Sequence, residues 1–388
     1  MSFLNKCAYW VQNHLPTRGF YFDRPIVLIQ SDDWGRAGLR DNEGLEQLRS
    51  SGIPVGERPY DFYTLETAAD LTALSQLLKS HRDSAGRTPC LEMNFIVANL
   101  DCANAFSNGR LSFLPLCDGL PKGWSRPGLI EAYRSGIEDE VFTAALHGIS
   151  HFNREAVERS PADADRGRLL EKLWSAGTPY IHWRMPWIGY EYWDPEKPED
   201  DRFLSSKLQA ELIGETVGLF AKLLSSLPRS ACAPGYRANT ATHQAWAQHG
   251  IRIGQNGPGS FTPPHFGQYE LLNLTRTVEF EPATDPKFSL EKCIQEAEFC
   301  FGLGIPAIVS VHSINFHSTV RDFRSRTLDL MDQFFNALES RHPSLLYLRD
   351  EDVLDAIRKG SFQGMSGSVE LNILQKRFVR SSLGRTAS

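Results

Sequence analysis

Short apolar runs alternate with longer stretches of helical period along this chain, and that alternation constrains the fold more than any other feature. The runs are PIVLIQS (25–31), LEMNFIVAN (91–99), EVFTAALH (140–147), IRIGQN (251–256) and PAIVSVHS (306–313). Each has the length of a parallel strand covered on both faces, where apolar residues follow one another instead of alternating with polar ones. Between them lie ETAADLTALSQLLKSH (66–81), LSSKLQAELIGETVGLFAKLLSSL (204–227), SLEKCIQEAEFCFGLG (289–304) and TVRDFRSRTLDLMDQFFNALESR (319–341). Their apolar residues recur at helical spacing. Repeated βα units of this kind predict a parallel sheet, open or closed into a barrel. At 388 residues the chain is long enough for one large α/β barrel with insertions.

The unusual polar residues cluster where these strands end. Asp32 and Asp33 close the first run, His147 follows VFTAAL, and His312 follows PAIVSV. Active sites of parallel α/β sheets and barrels assemble at that edge. Two adjacent carboxylates at the mouth of a buried strand repel each other and lose hydration. A dication offsets that cost: one aspartate ligates it, and the other serves as base for a water whose pKa the ion has lowered. A helix N-cap or turn pair is the alternative for the two aspartates. In HGISH, His147 and His151 stand four apart, so a helical turn would project both imidazoles to one side. Two imidazoles and a carboxylate suit zinc and related divalent ions, whereas a histidine pair alone is equally a surface or core feature.

WSAGTPYIHWRMPWIGYEYWDPEKPEDDRF (174–203) has neither strand nor helix period and predicts a long ordered loop within an insertion over about 154–203. Its Trp183, Trp187, Tyr190 and Trp193 offer faces on which sugar rings stack, or else form a small core that pins the loop. His182 and Arg184 could hold an anionic sugar or be structural. A net charge of −6 argues against a dedicated nucleic-acid binder, and no stretch approaches the ~20 apolar residues of a membrane span. MSFLNKCAYWVQNHLPTRGF lacks the pattern of a secretory signal, which predicts a helical arm over 1–20. Seven cysteines without a C-x-x-C pair point to reduced thiols and a cytoplasmic location. The barrel is expected over 21–350, with a C-terminal helix and polar tail over 351–388 whose last dozen residues fray.

In order and spacing these motifs resemble the polysaccharide deacetylase family, the NodB-homology domain. QSDDWG stands for its first motif, HGISH for its second with Gly148 in place of a hydroxyl residue, CAPGYR (232–237) for its third, and IVSVHSIN for its strand-end histidine. The resemblance spans about residues 23–320. It implies an irregular (β/α)7 barrel of the glycoside hydrolase/deacetylase type and removal of N-acetyl groups from amino sugars of an oligo- or polysaccharide. By the resemblance Asp33, His147 and His151 bind a divalent ion, zinc before cobalt, manganese or nickel. Asp32 becomes the general base and His312, preferred over His317, the general acid. A backbone N–H of Gly235 or Tyr236 would face the developing oxyanion.

Three departures stand out. Cys232 occupies the place of the third-motif arginine, with Arg237 as its candidate substitute. GIRIGQNGPGSF holds no counterpart of the fourth motif, which leaves the partner of His312 unassigned. Trp34 replaces a glycine and should reshape the space beside the metal. The rival readings are a same-fold hydrolase of a non-sugar amide, a cyclic imide or an O-acetyl ester, and a non-catalytic carbohydrate-binding protein. A two-carboxylate glycosidase is disfavoured, because no second acid stands out at a strand end.

Overall fold

The strand that carries the two aspartates, β1 (Ile26–Trp34), is buried along its whole length and is paired on both sides in the sheet. This structure, a computed structural model, describes residues 17–378 apart from 108 and 366. Around β1 stand β2 (Leu91–Ile96), β3 (Phe142–Gly148), β4 (Ser230–Cys232), β5 (Ile253–Asn256), β6 (Leu272–Thr275), β7 (Val278–Glu279) and β8 (Ala307–His312). Parallel pairing runs β6-β5-β4-β3-β2-β1-β8-β7. The outermost strands, β6 and β7, are separated by only Arg276 and Thr277. Arg276 donates its backbone N–H to Asn256 on β5, and Thr277 donates to Ile308 on β8. One bent segment therefore joins both edges and closes a barrel of seven staves, the form the resemblance implies and one of the two that the alternation left open.

Period two sorts the side chains. Val27, Ile29, Met93, Phe95, Val309 and Val311 point outward into one apolar cluster with the surrounding helices α1 (Ala68–Ser80), α2 (Leu129–Glu138), α3 (Ser206–Leu224), α4 (Thr240–Gln248), α5 (Leu290–Leu303) and α6 (Arg324–Arg341). The inward set is layered. Leu28, Ile253, Leu272 and Ile308 fill the floor. Above them Gln30, Asn94, Gln255 and Arg276 are joined by hydrogen bonds. Asp32 and His312, paired in register, form the rim.

Asp350, the first residue of α7 (Asp350–Lys359), inserts under this polar layer. Its carboxylate accepts from Gln30, Gln255 and Ser230 at 2.6–2.9 Å. α2, α4, β4 and the β6–β7 segment were not anticipated; the last two are too short or too interrupted to give a clear period. The described part of the expected N-terminal arm is a strand, Thr17–Phe22, paired antiparallel with Ile373–Phe378, so Lys376 and Arg377 lie in a ladder. Residues 1–16 lie outside the described part.

Asp350→Ala should leave the buried donors of Gln30 and Ser230 without an acceptor and weaken the hold on Gln255, a cost of about 3 kcal/mol. The expected outcome is a clear drop in the urea midpoint against the parent chain.

Candidate active site

Asp32 follows the inward alternation, but Asp33 would by the same rule face the helices. A break in register solves this. The β1–β2 ladder runs regularly to Ser31↔Met93 and resumes at Trp34↔Phe95, and Asp33 adopts a left-handed φ of 76°. The bulge turns the second carboxylate back to the barrel mouth. Both aspartates are only 3% exposed.

HGISH is not a helical turn. His147 is the penultimate residue of β3, and the chain then loops so that His151, at φ 69°, returns beside it. Glu191 holds the loop, accepting the backbone N–H groups of Ile149, Ser150 and His151 at 2.8–3.3 Å. This explains Gly148, because a Cβ there would lie 2.1 Å from the Glu191 carboxylate. His151 Nε2 lies 3.2 Å and His147 Nε2 3.6 Å from Asp33 Oδ1.

These three groups fit a divalent metal ion. His147 Nδ1 is bonded to the Cys232 carbonyl at 2.8 Å, which fixes the tautomer whose lone pair is on Nε2. Asp33 Oδ1 is buried with no hydrogen-bond partner. Burial holds His151 well below the usual histidine range, so its imidazole is neutral. Asp32, His147 and Cys232 are also close enough for a site. Burial and the nearby Asp32 keep that thiol protonated, however, which favours the Asp33 set.

Asp32 has a different environment. Arg276, itself fully buried, grips it with two hydrogen bonds of 2.6 and 2.8 Å, and Asn94 donates a third at 2.6 Å. Burial alone would raise its pKa, but Arg276 and His147 hold it well below the usual carboxylate range. Arg237 is not this partner: its guanidinium packs over Trp193 instead. Cys232 leaves the room that Arg276 uses, with Sγ 3.8 Å from its Nη2.

Across the mouth, His312 Nε2 faces Asp32 Oδ2 at 3.8 Å, while its Nδ1 bonds Glu281 at 2.6 Å. Burial opposes the imidazolium, but Glu281 and the two aspartates raise its pKa to about 9. Glu281 is thus the partner that the sequence left unassigned. It and Arg276 lie in LNLTRTVEFEP (272–282), whose two alternating leucines are too few to mark a strand end in the sequence. His317 sits deeper, 3.5 Å from buried Glu66.

A cavity of about 350 Å³ opens over this cluster, bounded by Gly235, Tyr236, Tyr190, Trp183, Tyr180 and Tyr60 among others. The Tyr236 backbone N–H already bonds the Ala233 carbonyl, and its hydroxyl accepts from Arg276 at 2.9 Å. Gly235, at φ 57°, packs so closely on Tyr190 that a Cβ would meet its ring at 2.4 Å. Trp34 does not shape the cavity. It turns into the core, stacks on Phe316 and bonds Ser31. Trp187 and Trp193 stand off the cavity under Arg166 and Arg237, and Arg58 and Arg184 both lie over the Trp183 ring.

No protein-family model matches the chain, and no curated protein matches it. Among solved structures it is similar to a protein assigned as a polysaccharide deacetylase from Mycobacterium smegmatis, with 11% identity and a TM-score of 0.45 over 86% of this chain and 90% of that one. It is also similar to a family 4 carbohydrate esterase from Streptomyces lividans in complex with acetate, at 11% identity and TM-score 0.35 over 83% and 90%. A third likeness, to a pseudoenzyme of that esterase family from Bacillus anthracis, has 9% identity and a TM-score of 0.37 over 83% and 63%. At this distance the site is read from its own geometry. Among the described residues no helix is long and apolar enough to cross a membrane.

Replacing His147 and His151 together by alanine should abolish stoichiometric binding of a divalent ion. Elemental analysis of the dialysed protein checks this, with the parent chain retaining about one ion per molecule as expected for a three-donor site.

Proposed function

We propose that this chain is a metal-dependent hydrolase that removes N-acetyl groups from amino sugars of an oligo- or polysaccharide, releasing acetate. One observation carries the reading. Beside a metal-ligand set, Arg276 keeps Asp32 ionised while Glu281 keeps His312 protonated, and the two face each other at 3.8 Å. Paired groups whose surroundings drive their pKa values apart are the mark of an assigned base and acid.

A divalent ion held by Asp33, His147 and His151 would supply Lewis-acid polarisation of an acyl carbonyl and a water of lowered pKa. Asp32 would accept the proton of a water that attacks the acyl carbon. The oxyanion that develops is met by the Gly235 backbone N–H, since that of Tyr236 is already engaged. His312 gives its Nε2 proton to the nitrogen as the C–N bond breaks, leaving acetate and a free amine. Glu281 holds the imidazole by Nδ1 so that Nε2 faces the bond.

At about 350 Å³ the cavity is at the small end of ligand sites and takes one sugar residue at a time. The same size favours a second reading, a hydrolase of a compact amide, imide or O-acetyl ester. A non-catalytic carbohydrate binder has no use for a separated base and acid.

Acetate release from N-acetylglucosamine oligomers, set against small amides and O-acetyl esters, decides between these. Asp32→Asn should keep its metal and lose about 10²–10⁴-fold in kcat/KM. The acid works only while protonated, so activity falls as pH rises through the pKa of His312. Removing the Glu281 charge lowers that pKa. Glu281→Gln should therefore move the alkaline limb of the kcat/KM profile to lower pH; an unmoved limb would assign the acid elsewhere.

A further inference from the structure

The mechanism above has no use for Arg36, although it lines the cavity and is only 5% exposed. We propose that Arg36 forms an anion subsite, receiving a carboxylate that the substrate carries a few bonds from its scissile N-acyl group. The proposal rests on the hydrolase reading and narrows its substrate class.

The side chain is held in a rigid mount. On either side of it, Gly35 donates its backbone N–H to Glu66 at 2.8 Å, and Ala37 donates to Asn99 at 2.7 Å. The guanidinium packs 3.7 Å from the centre of the Tyr63 ring, and Nη1 donates to the Tyr180 hydroxyl at 2.9 Å. The rest of its donor capacity is poorly used. Nε is buried without a partner, and Nη2 lies 3.5 Å from Asp33 Oδ2, too far for a strong bond. A buried arginine with idle donors requires an explanation.

Acting as counter-charge to Asp33 does not supply one. The cluster of Asp32, Asp33 and Glu281 against Arg36, Arg276 and protonated His312 is neutral, and a bound dication leaves it with two net positive charges. Arg36 is then a surplus cation. The cavity's remaining carboxylate, Asp61, cannot balance it: that group is taken up by the backbone of Gly56, Glu57 and Arg58 and by the side chains of Trp183 and Arg184. An incoming carboxylate offsets one of these charges and accepts from the guanidinium in a forked pair.

The test compares N-acetylglucosamine with N-acetylglucosaminuronic acid and N-acetylmuramic acid, which add a carboxylate at different positions of the same ring. Calorimetric binding to the metal-loaded Asp32→Asn protein is measured beside kcat/KM of the parent chain, with metal content determined for every variant. At least one acid should bind ten-fold or more tightly than the neutral sugar. Arg36→Gln should erase that margin through KM, and Arg36→Lys should keep part of it. If the glutamine variant fails to fold or loses its metal, the lysine variant decides, because a margin undiminished there contradicts forked recognition. Equal binding of acid and neutral sugar, or a margin that survives Arg36→Gln, overturns the subsite. Arg36-dependent binding with no acetate from any substrate would instead overturn the hydrolase reading and leave the subsite standing. Acetate released equally well from neutral and acidic sugars does the reverse.

Discussion

The forked bond between Arg276 and Asp32 is the interaction on which the rest of the site depends. It lies inside the barrel where β6 gives way to β7, at the segment that joins the two edges of the sheet. Burying a carboxylate and a guanidinium is costly unless both are fully engaged. Here the remaining donors of Arg276 reach Gln30, Gln255, Ser310 and Tyr236. An amide side chain can be flipped, so something must keep the two glutamine oxygens turned to the arginine. Asp350 does so by accepting the NH₂ group of each. A residue at the start of the last helix thus fixes the charge state and orientation of a carboxylate on the first barrel strand.

The neighbouring candidate metal-binding group of Asp33, His147 and His151 depends on irregular backbone. Asp33 and His151 both occupy the left-handed region, which is uncommon for residues with a Cβ and persists only where surrounding bonds enforce it. At Asp33 the enforcement comes from Tyr63, whose hydroxyl donates to its carbonyl at 2.7 Å. At His151 it comes from Glu191 in the aromatic insertion, buried and clamped by three backbone N–H groups. The insertion therefore carries one part of the candidate site and walls another, which ties its packing to the position of His151.

Strand ends were the legible part of this sequence. Asp32, Asp33, His147, His151 and His312 could be picked out because each terminates an apolar run or follows one closely. Arg276 and Glu281 could not, for a physical reason. β6 and β7 are short and interrupted at Arg276, so the pattern that marks a buried strand never becomes long enough to stand out. Motif position misled as well: Arg237 is near Cys232 in the chain, but a short turn aims it outward to Trp193. Trp34 was misjudged because the bulge that recovers Asp33 also sends the next side chain into the core, and a bulge has no signature in composition.

These errors share one cause, and it bears on how such a site can vary. A buried carboxylate needs a cation against it, but the geometry of a closed barrel does not dictate which stave provides it. Cys232 on β4 and Arg276 after β6 both reach Asp32, at 4.0 and 2.6–2.8 Å. A long side chain at one of these positions requires a short one at the other, because the interior is packed to a fixed volume. The same logic couples Gly148 to Glu191, where a missing Cβ makes space for a carboxylate from a distant segment. What is preserved in each case is the charge and volume at a point in space, and a linear motif records that only when one stretch of chain supplies all of it.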